Sequence, residues 1–388
     1  MTKVILKKKE HLRIQDGHPW IFSNEVHHFQ GNVENGDIVD VVSFEGEFVA
    51  KGFINLNSKI IVRVLSREDV FINKEFFKER IRQANSHRVR VGYQNAYRVV
   101  FGESDLLPGL IIDKYDQYFV IQTLSFGMDL RKNIICEVLE ELFHPLGIYE
   151  RNDVPVREKE GLELKKGFIG KSFNPVVKIK ENGITLQVDL ENGQKTGYFL
   201  DQQDNRKAIE PYVRGMKVLD CFSHTGGFAL HAAQYGAKEV TALDISEQAV
   251  KNIEANIKLN NFKNVKTQVG DVFHFLRQYH KENEMFDVII LDPPAFTKSK
   301  GTVDSAYRGY KEINLSAMKI IKSGGYLITF SCSQHLTPAL FMQMLVDASI
   351  DSKRVIQMVE FRTQSKDHLS LIATDESFYL KCMIARVL

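Results

Sequence analysis

The sequence lacks the features that mark membrane and secreted proteins. No apolar run approaches the roughly 20 residues that a transmembrane helix needs. The first residues, MTKVILKKKEHLRI, contain neither a long apolar region nor a small-residue cleavage site, so we expect no secretory signal and no membrane partner. The formal net charge of +2 neither requires nor excludes a nucleic-acid partner.

Cysteine is also scarce. The chain has four cysteines, none of which forms a C-x-x-C pair: Cys136, Cys221, Cys332 and Cys382. This spacing suggests neither a zinc site nor a disulfide framework, so we predict no metal. Isolated thiols of this kind are typical of a reducing cytoplasm, which is the location we expect.

Residues 1–70 are rich in β-branched residues punctuated by glycine, a pattern typical of an all-β unit. The only tryptophan, Trp20, lies in HPWIFSNEV. A core anchor is the plainer interpretation of Trp20, and an RNA-stacking face is the alternative. The segment resembles a PUA domain, a small β-barrel common in RNA-modifying enzymes. This resemblance, and not the charge of the segment, suggests RNA binding.

Residues 71–175 are predicted to form a central α+β module. The stretch 73–91 is predicted to be a helix with a basic face, which is either solvated or in contact with phosphate. After it the order strand, strand, helix, strand, strand is expected. Glu103, Ser104 and Asp105 are interpreted as a turn between the first two strands, and part of a functional site is the alternative.

From residue 176 to residue 388 strands alternate with helices, which predicts a mainly parallel, doubly wound α/β sheet of Rossmann-like type. A β-hairpin opens this unit, because Asn182-Gly183 is a strong hairpin signal. Ser246 is predicted to be the N-cap of the helix in SEQAVKNIEANIKLNN. Five strands are expected in the alternating part, at 216–220, 239–244, 265–269, 286–291 and 326–330.

The stretch VLDCFSHTGG, residues 218–227, predicts a strand, a tight glycine turn and the start of a helix. Such a turn lets backbone N–H groups and a helix N-terminus face a ligand at the carboxyl end of the strand. The full G-x-G-x-x-G fingerprint is missing. SHTGG suits a ligand with an amino-acid head better than one with a pyrophosphate.

Acidic residues end or closely follow four of the expected strands: Asp220, Asp244, Asp271 and Asp292. In a doubly wound sheet these ends line one crevice, although a single acid there is often only a helix cap. Asp244 is placed to accept both hydroxyls of a ribose, and Asp271 to accept from an adenine amine. Together these features favour S-adenosylmethionine over a nicotinamide cofactor.

Two further motifs predict the chemistry. In Asp292-Pro293-Pro294 the prolines stiffen a loop that can grip a planar base. DPPAF resembles the DPP-aromatic motif of methyltransferases that act on nucleobases, but here Ala295 stands where amino-methylating enzymes have the aromatic residue. Cys332 lies just beyond a strand end, between two serines, and is the predicted nucleophile. The other three cysteines are interpreted as packing residues.

With these motifs, the stretches GESDLLPGLIIDKY, ERNDVPVREKEGL, GQKTGYFLDQQDNR and FSCSQH make the chain similar to the RlmI family of ribosomal RNA large-subunit methyltransferases. The resemblance implies methylation of cytosine C5 in 23S ribosomal RNA and a loop, GQKTG, that closes over S-adenosylmethionine, with Lys195 as a partner for its carboxylate. Two positions depart from the family pattern. Gln203 stands where the family usually has arginine, a difference that could alter an RNA contact, and Leu369 stands where a proline is common.

The predicted site residues fall into three groups. The catalytic residues are Cys332 and Asp292. The residues predicted to bind the cofactor are Lys195, Thr196, Gly197, Phe199, Asp220, Phe222, Ser223, Thr225, Gly226, Gly227, Asp244, Ile245, Ser246, Asp271 and Val272. The residues predicted to bind the substrate are Pro293, Pro294, Phe296 and Arg206.

Two other functions stay open at this stage. The same scaffold could methylate a ring nitrogen of guanine or an exocyclic amine, and that reaction would not need Cys332. A catalytically silent RNA-binding assembly factor is the alternative from another class. The sequence leaves the oligomeric state open, and a homodimer is one of the states that it allows.

Overall fold

The computed structural model of the protein describes residues 2–297 and 300–388. The chain divides into two compact units. The first comprises Met1–Ile179, Val188–Leu200 and Lys366–Ser377, and the second comprises Lys180–Gln187, Asp201–Ser365 and Phe378–Leu388. Among the helices of the described residues, none combines the length and apolar character needed to cross a membrane.

The N-terminal part of the first unit is a six-stranded sheet with one short helix, α1, His11–Gln15. Its strands are β1 Lys3–Leu6, β2 Trp20–Phe22, β3 Val26–Gln30, β4 Ile38–Val42, β5 Phe48–Ile54 and β6 Ile60–Ser66. They are ordered β2-β6-β5-β4-β1-β3, and apart from β1 with β4 all neighbours are antiparallel. The predicted β-rich fold of this segment is confirmed.

Trp20 is half-buried and anchored by polar contacts. Its Nε1 donates to Glu103 Oε1 at 2.8 Å, and the Arg63 guanidinium lies 5.7 Å from the ring centroid while it pairs with the same carboxylate at 3.0 Å. Glu103 belongs to a short 3₁₀ turn, Gly102–Asp105, as the sequence predicted. These contacts favour the anchoring interpretation of Trp20.

The second part of the first unit is a five-stranded sheet of order β11-β10-β9-β8-β7 with three helices. The elements are α2 Lys74–Arg90, β7 Ala96–Phe101, β8 Leu110–Tyr115, β9 Tyr118–Thr123, α3 Phe126–Asp129, α4 Lys132–Phe143, β10 Gly147–Asn152 and β11 Lys165–Ile169. The second predicted strand is in fact two, β8 and β9. A tight turn at Asp116, which has φ of 59°, separates them inside one apolar run.

Helix α2 begins at the predicted place, with the Asn73 side chain accepting from Phe76 N. Its basic face is largely compensated. Lys74 and Lys78 both pair with Glu141 of α4, at 2.8 and 2.7 Å. Arg88 is fully buried, so it cannot meet phosphate at the surface. The structure therefore favours a paired helix over a phosphate-binding one.

A two-stranded hairpin precedes the large sheet, formed by β12 Val176–Glu181 and β13 Ile184–Asp189. Asn182 and Gly183 both have positive φ, 46° and 92°. Two successive residues with positive φ are what a type I′ hairpin turn requires, which is why Asn-Gly occurs here. The hairpin prediction is confirmed.

The second unit is built on a seven-stranded sheet covered by helices. Its strands are β14 Lys217–Cys221, β15 Glu239–Asp244, β16 Val265–Val269, β17 Phe286–Leu291, β18 Ile321–Ser331, β19 Ile356–Arg362 and β20 Lys381–Val387. Its helices are α5 Gln203–Ala208, α6 Glu210–Val213, α7 Gly227–Gln234, α8 Glu247–Asn260, α9 Val272–Lys281, α10 Val303–Ile320 and α11 Pro338–Ser352. The predicted doubly wound α/β fold is confirmed.

The strands are ordered β16-β15-β14-β17-β18-β20-β19. From β14 the chain adds β15 and β16 on one side and then crosses to add β17 and β18 on the other, so the order of strands reverses between β14 and β17. The five strands from β16 to β18 run parallel, whereas β20 is antiparallel to both of its neighbours. In such sheets ligands bind outside the carboxyl ends of the strands at the point of reversal. The topology therefore places a crevice beside the ends of β14 and β17.

Replacing Arg88 with methionine tests whether this residue is structural. Its guanidinium donates to Asp105 at 2.5 and 2.7 Å and to the carbonyl oxygen of Asp367 at 2.7 Å. The substitution leaves the Asp105 carboxylate buried without its cation, so the free energy of unfolding should fall by about 3–5 kcal/mol. Urea denaturation measures the change.

The matched control is Arg90→Met, because Arg90 is exposed on the same helix. Its effect on the free energy of unfolding should stay within about 0.5 kcal/mol. Equal effects of the two substitutions would contradict the structural role assigned to Arg88.

Candidate active site

The turn after β14 is tight because three of its residues have positive φ: Phe222 at 63°, His224 at 55° and Gly226 at 83°. The positive φ of Gly226 favours glycine, and a Cβ added there would crowd the Ile253 side chain at 3.1 Å. Helix α7 starts directly afterwards, at Gly227. The predicted strand, glycine turn and helix are thus present, with Thr225 buried inside the turn.

Asp220 is buried at the end of β14. Its Oδ2 accepts from Ser223 Oγ at 2.5 Å and from Ala229 N at 3.0 Å. Its Oδ1 is buried and has no hydrogen-bond partner among the residues that the structure describes. Burial, together with the nearby carboxylates of Asp292 and Asp244, raises the pKa of Asp220 to about 7. An unpartnered carboxylate oxygen of this kind suits a cationic donor on a ligand.

Asp244 ends β15, the neighbour of β14. Its two oxygens accept from the backbone N–H groups of His224 and Ser246, at 2.8 and 2.9 Å. These bonds fix the carboxylate at the crevice. Ser246 caps α8, as predicted, and Ile245 between them is 69% exposed and presents an apolar side chain at the strand end.

Asp271 follows β16 and caps helix α9, where its Oδ1 accepts from His274 N at 2.8 Å. Its side chain is exposed, whereas Val272 beside it is buried in the core. The helix-cap interpretation therefore holds for Asp271. A contact of Asp271 or Val272 with the cofactor stays a prediction.

Asp292 follows β17 and is half-buried. Gln202 Nε2 donates to both carboxylate oxygens of Asp292, at 3.0 and 3.1 Å, and is held in turn by Asn205. Sequence reasoning missed Gln202 as a site residue. The signal was its place in the distinctive stretch FLDQQDNR, next to Gln203, the residue that was singled out instead.

The two prolines and the aromatic residue of the DPPAF loop have different environments. Pro293 is buried and Pro294 is exposed. The Phe296 ring is partly buried and packs on Tyr310, with ring centroids 4.6 Å apart. Phe296 is thus placed as a packing residue beneath the loop. Its predicted contact with a substrate base stays a prediction.

Cys332 lies in the loop after β18, the strand beside β17. Its Sγ is 3.9 Å from the carbonyl oxygen of Pro293, so the thiol is next to the DPP loop. Tyr310 OH is 2.9 Å from Ser333 Oγ and also holds the loop. Cys332 is half-buried, which leaves the thiol partly accessible.

The other three cysteines are buried. Burial raises the pKa of the Cys136 thiol to about 11 and the pKa values of Cys221 and Cys382 well above the ordinary value. Buried thiols of this kind are inert, so the structure agrees with their interpretation as packing residues.

The stretch Lys195–Phe199 belongs to the first unit. Lys195 is exposed, and its Nζ lies 4.9 Å from the Phe199 ring centroid. Thr196 is buried and its hydroxyl donates to Asp113 at 2.5 Å, so this side chain has a structural partner. Gly197 has φ of 131°, a conformation that favours glycine. That this loop closes over the cofactor stays a prediction.

Arg206 requires a correction. It is buried in the second unit, where Nη2 donates to Glu181 at 2.9 Å and Nε forms the second bond of a bidentate pair. Both side chains are almost fully buried. Arg206 is therefore placed as a structural residue and not as the substrate contact that the sequence suggested. Its partner is distant in sequence, and no local pattern reveals it.

Comparison with known proteins agrees with this geometry. Residues 4–67 match the model of a PUA-like domain family. Residues 168–369, more than half of the chain, match the model of the S-adenosylmethionine-dependent methyltransferase family. The donor set of the second unit fits this cofactor, because the unpartnered Asp220 oxygen suits an ammonium group and the Asp244 carboxylate suits a ribose.

The chain is similar over its full length to proteins named ribosomal RNA large subunit methyltransferase I. It is 39% identical to the one from Klebsiella pneumoniae (strain 342), covering 98% of that protein, and 41% identical to the one from Vibrio cholerae serotype O1 (strain ATCC 39541 / Classical Ogawa 395 / O395), covering all of it. The crystal structure of SMU.776 complexed with SAH superimposes with a TM-score of 0.84 at 22% identity, with full coverage of both chains. That likeness shows the fold.

These matches extend from the first unit through the second and include the turn after β14, the DPP loop and the Cys332 loop. The chain therefore belongs to the S-adenosylmethionine-dependent methyltransferases and, within them, to the ribosomal RNA large subunit methyltransferase I family.

Proposed function

We propose that the protein methylates cytosine C5 in 23S ribosomal RNA, using S-adenosylmethionine and the Cys332 thiol as nucleophile. The observation that carries the proposal is the position of Cys332. Its Sγ lies 3.9 Å from the Pro293 carbonyl oxygen, directly beside Asp292, at the same end of the sheet as Asp220. The relatives named as ribosomal RNA methyltransferases support the choice of substrate.

Bound S-adenosylmethionine supplies an electrophilic methyl group on a sulfonium. The residues of this chain position that group and hold its charges. Asp220 offers a buried carboxylate oxygen to the cationic amino group, and Asp244 offers a carboxylate to the ribose hydroxyls. The turn from Phe222 to Gly227 places backbone N–H groups along the same crevice.

Cytosine C5 is a weak nucleophile, so direct transfer of a methyl group to it is slow. In the proposed reaction the Cys332 thiolate forms a bond to C6, which makes C5 electron-rich enough to take the methyl group. A base then removes the C5 proton, the bond between sulfur and C6 breaks, and the thiolate is regenerated. The target base has to leave its stack to reach the thiol.

Asp292 would hold the polar edge of the cytosine during this reaction. Its carboxylate can accept from the exocyclic amine and from a protonated N3, and N3 protonation draws electron density from C6. Gln202 fixes the carboxylate with two bonds, at 3.0 and 3.1 Å. Asp292 therefore has a defined orientation before the substrate arrives.

The proposal extends to the partner and the location. A PUA-like domain at residues 4–67 and a 23S ribosomal RNA substrate fit together, because such domains are common in RNA-modifying enzymes. A cytoplasmic location follows from that substrate. A homodimer stays a prediction, which light scattering of the purified protein would test.

Cys332→Ala should abolish methyl transfer while the affinity for S-adenosylmethionine stays within about twofold of the wild type. The reason is that the thiol acts on the substrate base and lies outside the acidic cofactor turn. Methylation is measured with ribosomal RNA from a strain that lacks this protein, and calorimetry gives the affinity. The matched control is Cys221→Ala, since Cys221 is fully buried in the core.

An RNA with 5-fluorocytosine at the target position provides the second arm of this test. Fluorine cannot leave C5 as a proton does, so the wild type should remain covalently attached to the RNA, and Cys332→Ala should not. Robust methyl transfer by Cys332→Ala would overturn the mechanism and support methylation of a ring nitrogen or an exocyclic amine instead.

Asp220→Asn should make the cofactor-free protein more stable at high pH but weaken its binding of S-adenosylmethionine. The pKa of Asp220 is raised to about 7 in the folded protein, so the stability associated with its protonated form is lost as the pH rises from about 4 to about 7. The substitution removes the buried charge. The stability of the variant relative to the wild type should therefore increase between pH 5 and pH 8, by up to about 4 kcal/mol in unfolding free energy, and its relative melting temperature should rise with it.

The same variant should bind S-adenosylmethionine at least about tenfold more weakly at pH 8, since a charge-assisted hydrogen bond is lost. Thermal unfolding of the cofactor-free protein and calorimetry provide the two readouts. Asp304→Asn, on the exposed start of α10, is the control and should alter neither. Unchanged affinity in Asp220→Asn would remove this residue from the cofactor site.

A further inference from the structure

Lys381 is a buried lysine beside the Cys332 loop. It is the first residue of β20 and pairs with Ser331 of β18. Its side chain is 1% exposed. Lysine is almost never fully buried without a partner for its charge, because transfer of an ammonium group from water is costly. The position therefore needs an explanation.

The partners of the ammonium group are main-chain oxygens. Nζ donates to the carbonyl oxygen of Ser333 at 2.7 Å and to that of Tyr379 at 2.8 Å. Within residues 2–297 and 300–388, no carboxylate oxygen lies within ion-pair distance of Nζ. Two carbonyl dipoles orient the ammonium group, but they do not neutralise its charge. Lys381 thus differs from Arg88 and Arg206, each of which forms an ion pair with a buried carboxylate.

The ionisable group that acts on Lys381 is Cys332. Burial lowers the pKa of Lys381 to about 8, and a negative charge on Cys332 raises it. The ammonium form therefore predominates at neutral pH. Two other ionisable side chains lie near this thiol. Tyr310 bonds to Ser333 from α10, and Asp292 lies next to Pro293 at the end of β17.

We propose that Lys381 is a positioning residue for the nucleophile: its ammonium group holds the Ser331–Ser333 loop through the Ser333 carbonyl and stabilises the Cys332 thiolate by its positive charge. This inference rests on the proposed role of Cys332. Lys381 acts through the loop and the thiol, and a contact of its own with the reacting atoms is not required.

The proton balance of this step is simple. The Cys332 thiol releases its proton to water, and the thiolate that remains lies in the field of an ammonium group that keeps all three of its protons. A nearby cation typically lowers the pKa of a thiol by one unit or more. The thiolate attacks C6 and is regenerated when the bond between sulfur and C6 breaks, so Lys381 ends in its original state.

The test measures the reactivity of Cys332 without RNA. Iodoacetamide alkylates thiolates, and mass spectrometry of the digested protein reports the rate at Cys332 alone, against three cysteines that are buried. In Lys381→Met the midpoint of the rate against pH should rise by about one unit or more, because the cation is gone. The acid limb of the kcat profile for methylation should move in the same direction.

Lys381→Gln separates charge from hydrogen bonding. A glutamine amide can still donate to carbonyl oxygens, yet it carries no charge. We expect the midpoint in Lys381→Gln to rise as it does in Lys381→Met. Lys381→Arg keeps the cation and should keep the midpoint near that of the wild type. Lys319→Met is the control for a charge lost elsewhere in the second unit, since Lys319 is exposed on α10.

Folding of each variant is checked by its affinity for S-adenosylmethionine, which should stay within about twofold of the wild type, and at least one uncharged variant has to pass. A wild-type midpoint in a folded Lys381→Gln or Lys381→Met overturns the proposal. Failure of the proposed function has a different signature: Cys332→Ala would still methylate RNA, whatever the alkylation profiles show.

Discussion

The buried carboxylate of Asp220 is the constraint on which the second unit depends. It sits at the end of the central parallel strand β14, and one of its oxygens organises the following turn by accepting from Ser223 and Ala229. The other oxygen has no hydrogen-bond partner within the described residues. A carboxyl in this position is costly when ionised, and burial accordingly raises its pKa to about 7. A perturbed carboxyl of this kind at a strand end is typical of a ligand-binding site.

The remaining acids increase this cost. Asp244 and Asp292 both raise the pKa of Asp220, so three carboxylates lie close enough to interact at one end of the sheet. Their mutual repulsion is relieved by a ligand with a positive charge, and S-adenosylmethionine carries one on its sulfonium and one on its amino group. We therefore propose that these acids bind the cofactor and are more than a set of helix caps. Asp271, which is exposed and does cap its helix, is the exception.

Strand register connects this cofactor crevice to the proposed chemistry. Cys221 of β14 pairs with Leu291 of β17, and Leu291 pairs with Thr329 of β18. The three parallel strands therefore end at nearly the same level of the sheet. Asp220, Asp292 and Cys332 lie at the carboxyl ends of these three neighbouring strands. The position of the last strand, β20, between β18 and β19 matters as well. Because β20 runs antiparallel to β18, its first residue, Lys381, lies at the carboxyl end of β18, beside the cysteine loop.

Local patterns in the sequence were sufficient for much of this architecture. Four of the five strands expected in the second unit lie within one residue of their observed positions, and the fifth, 326–330, extends back to Ile321. The Asn182-Gly183 hairpin and the Ser246 cap are also where the sequence placed them. Each of these depends on interactions between near neighbours: alternating polarity, turn dihedrals and capping bonds.

Contacts between residues distant in sequence could not be anticipated in the same way. The sequence alone suggests that Arg206 and Arg88 are exposed cations. In the structure both are buried and paired with the carboxylates of Glu181 and Asp105. Gln202 lies in a distinctive stretch, but nothing in that stretch indicates that it orients Asp292 from 90 residues away. The sequence identifies the carboxylates and the thiol by position, whereas the groups that orient them are revealed only by the fold.

The four cysteines show how this arrangement changes the chemistry of one side chain. Three of them are surrounded by apolar residues, and burial raises their pKa values so that the thiolate is suppressed. Cys332 is placed instead on a loop that is held by Tyr310, bordered by the Pro293 carbonyl and anchored at the Ser333 carbonyl oxygen by the buried ammonium group of Lys381. A thiol becomes a nucleophile through such surroundings, because only the thiolate reacts. The same sheet end that concentrates negative charge for the cofactor thus also carries, two strands beyond β17, the positive charge that we propose stabilises the thiolate.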